Sequence, residues 1–179
     1  YDPFLALFEA DVPRPLQDMK PRFIEALPQL QQWMNLPPRT IIQGDFRMDN
    51  LFFGRRPEHS PVACCDWQAS LRGKGIHDVA YLLSGSVPVT DRRASERALL
   101  ALWLQGLAAG GVEGYTPEQA WHDYRRAVLY LWSYVVVIAG GLDPDNTRGR
   151  AWLTQMVRRS ATALLDLDCL ELLDEFQAP

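Results

Sequence analysis

The sequence has 179 residues, 18 of them Lys or Arg and 22 Asp or Glu, and its formal net charge of −4 argues against a general nucleic-acid binder, which concentrates positive charge. At 47% hydrophobic and 22% charged, the composition is that of a soluble globular chain, long enough for one domain or one lobe of something larger. Three cysteines make neither a disulfide framework nor a C-x-x-C pair; with no leader-like segment at the start, a reducing, cytoplasmic setting is expected.

Residues 1–38 are punctuated by proline and contain no glycine. Within them, "PRFIEALPQLQQWMNLPP" predicts a helix with Phe23, Ile24, Leu27, Leu30 and Met34 on one face and Pro21 in its first turn. "RTIIQG" reads as a short strand. "NLFFG" and "PVACCDW" are two more, joined by the turn-prone "RRPEHS" and expected as a hairpin beneath the intervening loop. Cys64 and Cys65 fall in the second of these and are expected as small core residues.

Everything after "SLRGKG" is predicted helical. "HDVAYLLSG" starts one helix, and "TDRRASERALLALWLQGLAAGG" makes a second, with Thr90 as N-cap and Gly110–Gly111 as its stop. In the third, Thr116, Pro117 and Gln119 form a capping box with proline at the first helical position. "NTRGRAWLTQMVRRSATALLDL" makes a fourth, with "CLELLDEF" as a short last element. The longest apolar stretch, Leu129–Leu142, is too short to span a bilayer and suits a buried helix. The expected fold class is therefore α+β, mostly helical: a small β element set in a helical bundle.

The chemistry-bearing stretch is "QGDFRMDNLFF" at Gln43–Phe53. Phosphoryl transfer needs a carboxylate to accept a proton from the attacking hydroxyl and a few oxygen ligands for Mg²⁺. Asp45, Asn50 five residues on, and Asp66 at the end of the next strand have that spacing. Taken alone, D-x-x-x-x-N is weak and equally describes an Asx-turn pair. A zinc site is disfavoured because His59, His77 and His122 lack ligand spacing. A two-carboxylate glycosidase would leave Asn50 without a role.

In context, "IIQGDFRMDNLFF…VACCDWQASLRGKGIHDVAYLL" resembles the aminoglycoside phosphotransferase and choline kinase superfamily, of protein-kinase-like fold, and most of all its ecdysteroid-kinase-like branch. The resemblance covers about residues 39–85, and the helical remainder suits that family's C-terminal lobe. It implies an ATP-dependent small-molecule O-phosphotransferase with Asp45 as catalytic base and Asn50 and Asp66 as Mg²⁺ ligands. Gln43 stands where the family has His; its amide can donate and accept in that supporting place. Asp78 would brace the loop from the following helix, and Arg47 would touch phosphate or pair with Asp49.

The same resemblance implies a partner lobe. Only residues 1–42 precede the motif, without glycine and with Lys20 as their single lysine, so the N-terminal nucleotide-binding lobe is expected to be absent. The chain, which opens on Tyr1 rather than Met, then reads as a C-lobe fragment, inactive alone. It would self-associate as a homodimer through a face near "YDPFLALF". The other partner implied is a small-molecule hydroxyl acceptor, with neither nucleic acid nor membrane. That acceptor is aminoglycoside-like or a hydroxylated lipid or steroid, and Trp103, Trp121, Tyr124, Tyr130, Trp132, Tyr134 and Trp152 favour a bulky, partly apolar alcohol, although for any single one of them a core position is the better reading. The alternative is a non-catalytic pseudokinase or helical binding module.

Overall fold

A computed structural model describes residues 1–143 and 145–176. Helix α1 (Asp2–Phe8), the short α2 (Arg14–Asp18) and α3 (Lys20–Met34) come first. Four three-residue strands follow: β1 (Thr40–Ile42), β2 (Leu51–Phe53), β3 (Val62–Cys64) and β4 (Leu71–Gly73). The rest is helical, with α4 (Ile76–Tyr81) continued by a π turn at Leu82–Ser86, then α5 (Val89–Ala109), α6 (Pro117–Gly140) and α7 (Thr147–Asp166). A 3₁₀ segment closes it at Cys169–Phe176. The chain is α+β and mostly helical.

The centre of the bundle is α6. Thr116 caps it: its hydroxyl accepts from the Gln119 amide at 3.2 Å while the Gln119 side chain accepts from the Thr116 amide at 3.0 Å. Its apolar residues recur on more than one side, so it buries Tyr124, Val128, Leu129, Trp132 and Val135 against several neighbours at once. Helices α1, α4, α5 and α7 and the closing 3₁₀ segment pack around it. Among the described residues no helix is long and apolar enough to cross a membrane.

Several sequence expectations need correction. Within "YDPFLALF" the larger rings are not on the surface: α1 lies on α6 and buries Phe4 and Phe8 completely, with the Phe4 ring edge-on to Trp132 at 5.5 Å. On α3 the inward face is Phe23, Ala26, Leu30, Trp33 and Met34, while Ile24 is half exposed. Thr90 lies in the first turn of α5, whose N-cap is Pro88. "SLRGKG", where no strand is predicted, holds one. It contributes β4, which pairs antiparallel with β1 so that Thr40 faces Gly73 and Ile42 faces Leu71. Gly73 leaves room for the buried Ile42 side chain, whose Cδ1 would lie 2.9 Å from a Cβ at that position and would have to move aside.

The hairpin of β2 and β3 forms as a separate antiparallel pair, with Leu51 opposite Cys64 and Phe53 opposite Val62. Its cysteines are half-buried rather than core. Together the two strand pairs hold out the loop Gln43–Asn50 above the first turns of α4.

Candidate functional site

The loop between β1 and β2 turns sharply because Gly44 takes φ +85°, a left-handed conformation that costs a glycine nothing. The space is also reserved for glycine: a Cβ there would lie 2.4 Å from the Ala69 carbonyl oxygen. This turn lets Asp78, near the start of α4, accept from two successive loop amides, Gln43 at 2.7 Å and Gly44 at 3.1 Å. One carboxylate thus fixes the approach to Asp45 from below.

Gln43, almost fully buried, ties the loop to the second strand pair. Its amide nitrogen donates to the Cys65 and Asp66 carbonyls at 3.1 and 2.7 Å, and its side-chain oxygen accepts from the Asp45 amide at 2.8 Å. Both ends of the amide are used, so neither Glu nor Met could replace it without losing a partner.

The Asp45 carboxylate is held on both oxygens. The Tyr81 hydroxyl donates to Oδ1 at 2.8 Å, and Asn50 Nδ2 donates to Oδ2 at 3.1 Å and to the Asp45 carbonyl at 2.9 Å. Arg47 Nε lies 3.3 Å from Oδ2, close enough for charge attraction but off the angle of a hydrogen bond. With these contacts made, the Asp45 side chain still keeps 28% of its surface open. Burial, reinforced by the neighbouring Asp45 carboxylate, pushes the Tyr81 phenol well above its ordinary value, which keeps it a proton donor throughout the neutral range.

Beside the carboxylate lies a cleft of about 230 Å³ lined by Arg47, Met48, Tyr81, Trp152, Met156 and Arg159, among others. Arg47 is set over the Trp152 ring at 5.1 Å, and Arg159 donates to the Ser86 carbonyl at 2.7 Å. The Ser86 hydroxyl in turn accepts from the Met48 amide at 3.2 Å. The lining thus mixes two arginines and one carboxylate, Asp49, with the apolar side chains of Met48, Trp152 and Met156.

The structure brings Gln43, Asp45, Arg47, Asn50 and Asp78 together. Arg47 pairs with Asp45 and not with Asp49. Asp66 borders the group through its backbone carbonyl, while its side chain sits at an exposed residue with φ 58°. Among the described residues there is no group of three or more His, Cys, Asp or Glu side chains arranged to hold a metal ion. Tyr81 and Ser86 escaped the sequence reading, because they come from distant helical positions with no local motif, whereas Trp152, one of the aromatics singled out there, lines the cleft.

Comparison with known proteins changes the functional frame. No family model matches the chain, and no solved structure matches it. Two curated proteins are similar over a short stretch. Acyl-CoA dehydrogenase family member 10 of Mus musculus is 45% identical over 64 aligned residues, 32% of this chain and 6% of that protein. Acyl-CoA dehydrogenase family member 11 of Pongo abelii is 38% identical over 64 residues, 32% of this chain and 8% of that protein.

These relatives bear the name of another enzyme family, and neither a family model nor a solved structure supports the likeness to aminoglycoside phosphotransferases and choline kinases. The phosphotransferase assignment is corrected on that finding. With it go the kinase activity, ATP as co-substrate and Mg²⁺, all of which rested on the likeness. The matched stretch is less than a tenth of either relative, so their names describe much longer proteins than the segment shared here.

Proposed function

We propose that this chain is a small-molecule-binding module whose cleft presents a hydroxyl group of a partly apolar ligand to the Asp45 carboxylate. The observation that carries the reading is a carboxylate fixed by Tyr81 and Asn50 yet still open, beside a cleft shared by Arg47 and Tyr81. A carboxylate restrained in this way accepts a ligand O–H without first giving up rotational freedom. Asp45 is the residue we assign to accept that hydrogen bond. Asn50 and Gln43 position it, and Asp78 holds the loop.

The cleft walls select the ligand class. Arg47 and Arg159 offset the carboxylates of Asp49 in the lining and Asp45 beside it, so the cleft lacks the acidic excess that favours a polycation such as an aminoglycoside, whereas Trp152, Met48 and Met156 favour an apolar body. A hydroxylated steroid or similar rigid alcohol fits that combination. Similarity to a small part of two much longer proteins supports a module that occurs within larger chains.

The test is a binding screen by calorimetry, with hydroxylated steroids set against aminoglycosides, repeated on Asp45→Asn. Saturable binding of an alcohol that weakens about tenfold in the variant is expected for loss of a charge-assisted hydrogen bond. Preferential binding of the polycations, or affinity unchanged by Asp45→Asn, would remove Asp45 from the role.

A further inference from the structure

A second cleft lies away from Asp45, between α5 and the start of α6. It measures about 410 Å³, larger than the one beside Asp45, and its lining includes Arg97, Leu100, Leu104, Ala108, Tyr115 and Trp121. That volume falls within the roughly 300–1,000 Å³ typical of small-molecule sites. The walls are mainly aliphatic and aromatic, and Arg97 is the one residue carrying a formal charge among those that line it.

Arg97 distinguishes this cleft from a packing fault. Its guanidinium lies 3.7 Å above the centre of the Trp121 ring, a stacking that holds the planar group at the cleft while leaving its N–H edges unused. Among the described residues it makes no ion pair, in contrast to Arg92 and Arg93 one turn earlier, which both bind Asp166. The nearby acid on α6 is already engaged: Asp123 accepts from the Tyr115 hydroxyl at 3.0 Å and lies 3.5 Å from Arg126. Glu118, in the first turn of α6, is not part of the lining.

A preset guanidinium edge beside an apolar hollow matches a ligand with one anionic head and an apolar tail. We infer that this cleft binds an amphipathic monocarboxylate, with the carboxylate on Arg97 and the tail against Leu100, Leu104 and Trp121. The site is independent of Asp45 and does not rest on the function assigned there.

Octanoate and its neutral isostere octanamide serve as probes on the full 179-residue chain, followed by calorimetry and by the indole N–H resonances of Trp121 and Trp152. Octanoate should bind saturably and shift Trp121 but not Trp152. Arg97→Gln, an exposed-surface change, should weaken octanoate about tenfold while octanamide affinity moves less than about twofold. Ala101→Phe, which fills the hollow, should weaken both probes. An absence of saturable octanoate binding, a shift confined to Trp152, or equal weakening of the two probes by Arg97→Gln would each overturn the assignment. Melting temperatures of both variants within a few degrees of the parent exclude loss of fold as the cause.

Discussion

Phe4 and Phe52 are the same side chain in two different kinds of structure. Phe4, on α1, has no exposed surface and touches the rings of Tyr1, Phe8 and Trp132. Phe52, on β2, leaves 63% of its surface in solvent, and Ile41, Phe53, Val62 and Trp67 around the two strand pairs are similarly open. The helical part carries its own core. The strand part has almost none, and its order is borrowed through polar contacts: Asp78, Tyr81 and Ser86 reach the loop from α4 and the π turn. Stability and site geometry are thus held by different forces, and mutations should separate them.

The largest expected effect is in the helical part. Phe4→Ala removes a fully buried ring at the contact of α1 with α6, so a loss of about 3–5 kcal/mol is expected from transfer and cavity terms together. Urea unfolding measures it directly. A loss below about 1 kcal/mol would mean that α1 is not part of the cooperative core.

Next comes the loop turn. Gly44→Ala must place a Cβ against the Ala69 carbonyl and hold alanine at positive φ. A cost of about 2 kcal/mol or more is expected, with the strain concentrated near Asp45. A crystal structure of the variant with the turn unchanged and stability intact would contradict the reserved space.

Asp78→Ala should cost about 1–3 kcal/mol, because two loop amides lose their acceptor. Its more telling signature is local. Amide exchange at Gln43 and Gly44 should accelerate while exchange across α6 does not, since the helical core has its own source of stability. Uniform acceleration throughout the chain would erase the distinction between the two regions.

The helices were the legible part of the sequence. The Thr116–Gln119 capping box and the apolar run to Leu142 are local patterns, and α6 follows them. Strand β4 was missed because Leu71 and Arg72 are exposed and three residues carry no usable alternation. The burial of α1 was missed for a similar reason: seven residues cannot show whether an apolar helix faces a partner or solvent. At the site, Asp45 and Asn50 stand five residues apart and could be read together. Tyr81 is 36 residues from Asp45 and Ser86 is 38 from Met48, so only the fold puts them in contact. The family likeness drawn from the same motif did not survive comparison with known proteins, which shows how much less a short polar pattern says about chemistry than about local geometry.

A smaller effect is expected where two helices are joined by charge. Hydrogen bonds from Arg93 and Arg92 hold the Asp166 carboxyl below its ordinary value of 3.8. A depressed folded-state value means that the stabilisation is fully present above pH 3.8 and is lost as pH falls through the lower folded value. The stability difference between the parent and Asp166→Asn should therefore be present at neutral pH and shrink in acid. A difference that grew on acidification would reverse the sign of this coupling.

The smallest effect closes the comparison with which the two phenylalanines began. Phe52→Ala removes as many atoms as Phe4→Ala, but most of the Phe52 surface is already wet, so little transfer energy is lost and no cavity forms. The backbone pairing of Phe52 with Ala63 does not depend on the ring. The change in unfolding free energy should stay within about 0.5 kcal/mol, as for other surface substitutions. What should change is solubility, because one of the larger exposed apolar groups around the strand pairs is gone. Sedimentation of parent and variant at matched concentrations tests this alongside urea unfolding. If Phe52→Ala instead destabilised the chain as Phe4→Ala does, the ring would have to be buried in solution. The strand face would then be covered by a second copy of the chain, and the parent would sediment as a dimer that the variant dissociates.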